Sequence, residues 1–404
     1  METSPRRGQI RKGTAIAICL GFLTGLPVWV GTSFGIDFVP RRYHSTQGEQ
    51  GFVAAMRNWD GYWYTKIAAE GYSYNPDKPS SVAFFPGYPL IAGRAATLTG
   101  TDPDFVLPAL SNLCLIVALV LLWAYARTET SHDQFASWVL VATTLWPMSL
   151  FLRMAYSEAL FLCLLVSVLL GIQRRWPVWV ISLLAGAATG TRSVGVALLL
   201  PQCWDWWRRS TNWREFIVHA AVFGCVSCWG LAAYMVYLHF AFGDAFAFVN
   251  TQQHWAVRGA LPLPKQVVSL LLLEPVWDVY RADSIASWMR HEHIINPLFS
   301  LQFWNPIYFA ACTLVVGWGT WKRWLTTPET LVSAGLLLIP YVFQSYRMMM
   351  FGHGRFSCVV FPMYLVMGRF LHSCPPPLAA VLCSLAAVLL AFNSALFASW
   401  HRVF

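Results

Sequence analysis

Residues 83–100 read AFFPGYPLIAGRAATLTG, eighteen residues that are mostly apolar. That length is close to what a helix needs to cross a bilayer. Pro86, Pro89 and Arg94 argue against crossing, because freed backbone groups and charges are costly in hydrocarbon. Loop charge gives the same answer. With 83–100 kept at the interface, spans near 105–126, 135–152 and 159–172 follow, and Arg174 and Arg175 fall in the cytoplasm. If 83–100 crossed, those arginines would lie outside, together with Arg208, Arg209 and Arg214. The first choice obeys the positive-inside rule and the second breaks it repeatedly.

Working outward, the basic start SPRRGQIRKG precedes an apolar run at 14–36. That run is too long for a signal-peptide core and lacks a small-x-small cleavage site, so it reads as an uncleaved signal-anchor. Arg6, Arg7, Arg11 and Lys12 place the N-terminus in the cytoplasm. The stretch 177–204 contains GAATGTRSVG and reads as two short helices meeting near Arg192. Further spans are expected at 215–241, 303–321, 328–347, 356–371 and 377–398. Lys322, Arg323 and Arg369 then fall inside, while Arg347, His353 and Arg355 fall outside. The expected fold is an all-α polytopic membrane protein, one domain over 1–404, with about eleven transmembrane helices. Its first outer loop, 37–104, carries short interfacial helices, and 242–302 forms a second large outer loop.

Composition agrees. Of 404 residues, 57% are hydrophobic and 12% charged, where soluble domains are about a quarter charged. Cationic cytoplasmic loops explain the net charge of +9 without a nucleic-acid partner. The ten cysteines lie mostly inside apolar runs and read as small core residues, with no disulfide framework.

Several charged or interrupted spots share the outer face: Asp60, the 153–158 turn, Arg192 and the 347–355 turn. Asp60, in NWDGYWYTKIAAEGY (58–72), sits at the N-cap of a short helix that Gly71 ends. It reads either as a cap or as a catalytic acid. Glu158 follows Ser157 at a helix start, where the dipole favours an acid. Arg192 is harder to account for structurally, because a snorkelling arginine sits at a helix end. Anion binding is its simplest role. FGHGRF (351–356) puts His353 and Arg355 on a flexible turn that suits either a phosphate or an ordinary interface. Trp59 offers a face on which a sugar can stack. His291, Glu292 and His293 lack helical ligand spacing and read as a solvated loop, so no metal site is expected.

In order, RNWDGYWYTKIAAEGY, AFFPGYPL, WPMSLFLRMAYSEALF, GAATGTRSVGVAL and HGRFSCVVFPMYL resemble the PIG-V family of mannosyltransferases, which have the GT-C glycosyltransferase architecture. The blocks cover about 57–200 and 353–365. Eukaryotic members of that family add the second mannose to the glycosylphosphatidylinositol anchor precursor, with dolichyl-phosphate-mannose as donor, on the luminal side. The chain is shorter than those enzymes, with compact loops, and so looks like a bacterial relative in a plasma membrane; a eukaryotic source would place it in the endoplasmic reticulum.

The resemblance implies a polyprenyl-phosphate-sugar donor, a lipid or glycan acceptor and an outward-facing site. It implies that Asp60 and Glu158 are the catalytic acids. Trp59, Tyr156, Arg192, His353 and Arg355 would bind substrate, and Phe84 and Phe85 would help wall in the polyprenyl chain. No cofactor is implied, and two isolated acids can serve with or without a divalent ion. The rival class is a lipid transporter or flippase, which predicts matching broken helices in two halves. Only 186–195 shows such a break.

Overall fold

The computed structural model describes residues 5–41, 51–130, 132–292 and 296–401. Among the described residues every regular element is an α-helix or a 3₁₀ turn, as an all-α membrane protein requires. Three stretches of the described residues are long and apolar enough to cross a bilayer: Arg11–Phe38, Pro103–Thr128 and Pro376–Ala398. Trp213–Ser227 and Trp229–Phe242, bent by 52° relative to one another, form a fourth if taken as one broken span. The expectation of about eleven spans exceeds this set. Most of the other helices fall short of the ~20 residues a bilayer needs. Asp133–Leu145 has 13 residues and Val178–Thr191 has 14.

The 83–100 segment forms the helix Gly87–Thr99, which ends at Gly100 in the left-handed region at φ 65°. Its 13 residues reach roughly 20 Å, well short of a ~30 Å hydrocarbon core. Tyr88 anchors it, donating its hydroxyl to the Leu107 carbonyl at 2.7 Å. Phe52–Met56 and Asp60–Glu70 are the other short helices of the 37–104 segment. The 177–204 stretch is broken where its glycines and Arg192 suggest. Val178–Thr191 stops at Arg192, which is extended at φ −151° and ψ 142°. A 3₁₀ turn, Ser193–Leu198, then leads into Leu199–Arg209. The His291–Glu292–His293 triplet lies outside the described side chains.

Two glycine pairs set the close helix contacts. Gly31 and Gly35, in GTSFG, lie against the backbone of Ala391 and Ala395, and a Cβ on either would collide with those carbonyls. The helix Leu26–Phe38 is thereby pressed onto Pro376–Ala398. Gly186 and Gly190 pack closely on Trp229 and Gly230: a Cβ on Gly186 would meet the Trp229 indole, and one on Gly230 would collide with the Gly186 carbonyl and the Gly190 backbone. Small residues four apart allow such approach between membrane helices. The second pair also fixes the end of the helix from which Arg192 emerges.

A bulky side chain in the first seam must push the two helices apart. Overpacking of this kind costs about 1–3 kcal/mol. Gly35→Leu should lower the unfolding temperature of the detergent-solubilised protein by several degrees in differential scanning fluorimetry. Gly317→Leu, at a glycine with open space around it, should leave it unchanged.

Candidate active site

Four charged side chains from four separate segments meet in one chain of contacts. Asp60 is the first residue of Asp60–Glu70. Glu158 is the first residue of Glu158–Gln173. Arg192 stands at the break described above, and Arg355 lies in the short helix His353–Ser357. Arg355 Nη1 is 2.5 Å from Asp60 Oδ2, and its Nε is 3.3 Å from Glu158 Oε1. Arg192 Nη1 is 2.5 Å from the same Glu158 oxygen and also donates to Ser157 Oγ at 3.2 Å. Acid and base alternate, so the four charges cancel.

The spot expected to cap a helix is used differently. Trp59 takes the N-cap position, at φ 62° and ψ −118°, with no side-chain capping bond. Asp60 stands one residue later, and its carboxylate turns to Arg355 instead of back to its own helix. The Asp60 N–H donates to Tyr156 Oη at 3.2 Å, and Tyr156 Oη donates to the Asn58 carbonyl at 3.0 Å. Asn58 Nδ2 in turn donates to the carbonyls of Phe397 and Ala398 at 3.0 and 3.1 Å. The Ala155 N–H reaches the Met56 carbonyl at 2.9 Å. The first outer segment is thus tied to the 153–158 turn and to the last long helix.

Burial separates the roles of the two acids. The Glu158 side chain is 0% exposed, whereas that of Asp60 is 18% exposed. Asp60 lines a cavity of about 1030 Å³ together with Trp59, Arg192, Arg355 and Trp400. Glu158 does not face that cavity; it sits behind the two arginines and holds both. Arg153, at the start of the 153–158 turn, points elsewhere. It donates to the Gly21 carbonyl at 2.6 Å and to Asn112 Oδ1 at 3.2 Å. Burial works against the charge of Arg355, but Asp60 and Glu158 outweigh it and hold the guanidinium ionised above the ordinary arginine range.

Two residues expected to bind substrate are enclosed by their neighbours. Tyr156 is fully buried, with Arg355 lying 5.5 Å over its ring. His353 is 1% exposed and its ring packs on Phe309 and Phe356. Burial lowers its pKa to about 4, although the carbonyls of Met350, Phe351 and Pro340 favour the charged form. Phe84 and Phe85 do line the cavity.

Other wall residues carried little signal in the sequence. Trp400 packs on Trp59 at 5.5 Å between ring centroids, and it too is a non-glycine residue at φ 62°. Trp255 packs edge-on against Trp63, which itself stacks on Phe84. Tyr64 Oη and Ser157 Oγ share a hydrogen bond of 3.0 Å. Burial, and then Glu158, push the Tyr64 hydroxyl up to about 12, so it keeps its proton.

No family model matches the chain. It is 33% identical over 318 residues to GPI alpha-1,6-mannosyltransferase 2 of Cricetulus griseus, and 27% identical over 320 residues to the Homo sapiens protein of that name. Each match covers 71% of this chain and 61% of the relative. The chain is a relative of the PIG-V mannosyltransferases. It spans about three fifths of the length of those relatives. Among solved structures it is similar to the apo Archaeoglobus fulgidus oligosaccharyltransferase. That match has 12% identity and a TM-score of 0.49, over 96% of this chain and 56% of the other. It is also similar to the S. cerevisiae Pmt1–Pmt2 complex bound to its sugar donor. There the identity is 13% and the TM-score 0.39, over 57% of this chain and 34% of the other. Both likenesses are too loose to carry an argument.

Two measurements check this arrangement. Glu158→Gln leaves two buried guanidinium groups short of an acid, and breaking a buried pair costs about 3–5 kcal/mol. Its unfolding temperature should fall clearly further than that of Asp60→Asn, whose side chain is partly open. His353 has a folded pKa of about 4 against about 6.5 unfolded. The unfolded state therefore binds the extra proton between those values, and stability falls as pH drops through that window. Thermal unfolding from pH 6.5 to 4 should show a shallower loss for His353→Gln than for the native chain, by up to about 3 kcal/mol.

Proposed function

We propose that the chain transfers a hexose, most simply mannose, from a polyprenyl-phosphate-linked donor to a hydroxyl of a lipid or glycan acceptor. The reaction takes place on the non-cytoplasmic face of its membrane and inverts the anomeric carbon in a single displacement. The observation that carries this reading is the Asp60 carboxylate, which opens on a large cavity while its partner acid, Glu158, is sealed behind two arginines. The activity for which the relatives are named, mannosyl transfer, supports the same class.

The steps follow from these groups. The acceptor oxygen attacks the anomeric carbon from the face opposite the phosphate. The carbon–oxygen bond to phosphate breaks, and its electron pair stays on the phosphate oxygen. The acceptor hydroxyl becomes acidic as its oxygen bonds to carbon, and the Asp60 carboxylate takes the proton. Arg355 fixes that carboxylate in place, and Glu158 fixes Arg355 and Arg192. Glu158 is therefore a positioning residue. Trp59 and Trp400 offer apolar faces beside Asp60 on which sugar rings can pack.

The test is transfer from a synthetic polyprenyl-phosphate-mannose to lipid acceptors, followed by mass spectrometry. Asp60→Asn keeps size and shape but cannot accept the proton, and should lower the transfer rate by roughly 10²–10⁴-fold. A variant that transfers at the native rate rules out Asp60 as the base. With the phosphate charge met by arginine, transfer should survive excess EDTA; a loss that divalent ions restore would overturn that part of the scheme.

A further inference from the structure

The four-residue cluster carries no net charge: Asp60 and Glu158 contribute two negative charges, and Arg192 and Arg355 two positive ones. A phosphate entering the cavity therefore finds no spare cation there. Arg347 also lines the cavity. Among the described residues no carboxylate lies within ion-pair distance of it, and its Nε is buried without a hydrogen-bond partner. A buried, unpaired donor on a cation is rare in folded proteins and points to a missing ligand. Arg258, nearby, likewise has a buried Nη1 without a hydrogen-bond partner, but its charge is already met. It is paired with Asp278, bonded to Ser284 Oγ at 3.0 Å and stacked over Tyr346.

The backbone of Arg347 is held firmly. Its carbonyl accepts from the N–H groups of Val257 and Arg258 at 3.0 and 3.1 Å. Two residues later, Met349 and Met350 turn the chain at φ 49° and 63°. Arg347 follows the helix Thr327–Gln344, and Met348 N–H still donates to the Gln344 carbonyl at 2.8 Å. Leu336, Pro340, Phe343 and Arg347 thus recur at the four-three-four spacing of one helical face. All four line the cavity, and Phe343 is 73% exposed. The stripe runs from apolar side chains to a guanidinium, as an isoprenoid chain runs to its phosphate.

We propose that Arg347 binds the phosphate of the lipid-linked donor, with the first isoprene units lying along Leu336, Pro340 and Phe343. This rests on the reading of the donor as a polyprenyl phosphate. Arg347 meets the charge of the phosphodiester and the second charge that appears as the leaving group departs. Arg192 and Arg355 hold the reacting carboxylate. Gln252 and Gln344, in the same wall, offer amide donors to the remaining phosphate oxygens.

The test compares binding of polyprenyl phosphate with binding of the uncharged polyprenol of equal length. The full chain is used in detergent, with tryptophan fluorescence as readout. The native protein should prefer the phosphate. Arg347→Gln should lose roughly 10–100-fold of phosphate affinity while polyprenol affinity holds. If Arg347→Gln keeps the full preference, the assignment to Arg347 is overturned. If the native protein itself shows no preference, the lipid-phosphate reading falls and this assignment with it. Should Arg347→Gln fail to elute as a single folded species, Arg347→Lys carries the test. It keeps the charge but not the fork, and must weaken the phosphate preference severalfold. An unchanged preference in that variant overturns the proposal.

Discussion

The alternating chain Asp60–Arg355–Glu158–Arg192 is the interaction on which the remaining geometry depends. A fully buried carboxylate is tolerated only with partners in place. Glu158 has two, drawn from segments far apart in the sequence. Satisfying that one acid obliges the break at residue 192 and the turn before residue 355 to arrive at the same point. Asp60 is drawn in by the outer end of Arg355. The glycine seams are what let helices come near enough for these side chains to reach. Close backbone packing and charge pairing are therefore one constraint: a wider seam leaves an unpaired charge.

A neutral cluster suits the proposed reaction, whose donor is itself charged. On that proposal, free charge on the arginines would draw the donor phosphate onto the carboxylate that must stay open to the acceptor hydroxyl. Locking them against two acids leaves the reacting oxygen in a defined position and removes that competition. The backbone near this point is also held in an uncommon state. Trp59 and Trp400 both adopt positive φ without being glycine, a conformation that costs about 1–3 kcal/mol each and persists only where the surroundings enforce it. Both indole rings border the cavity beside Asp60, where a rigid surface has the most use.

Much of this was legible in the residues. The prolines and Arg94 of 83–100 signalled a segment too interrupted to cross, and it is a short helix. GAATGTRSVG signalled a break, and the helix ends at Arg192. The convergence of Asp60, Glu158, Arg192 and Arg355 on one face followed from counting loop charge. What could not be read was who pairs with whom. A sequence shows that Arg192 and Arg355 are cations in apolar surroundings, but not that Glu158 consumes their charge. The choice between cap and chemistry at Asp60 also turned on a partner 295 residues away. At His353 the glycines on both sides suggested an open turn, whereas the imidazole packs inward between phenylalanines. Trp400 and Arg347 carried weak signals: one lies past the last helix, and the other ends an apolar stripe whose phase is visible only once the helix is known.

The order in which the chain is made gives the bond between Asp60 and Arg355 a further meaning. Translation supplies Asp60, then Glu158, then Arg192, and Arg355 only much later. For most of its insertion the nascent protein holds two of these acids against one of these cations. Arrival of Arg355 removes the imbalance, and the residues that complete the wall at Trp400 follow soon after. The salt bridge between Asp60 and Arg355 can therefore form only after most of the segments that wall the cavity have been synthesised.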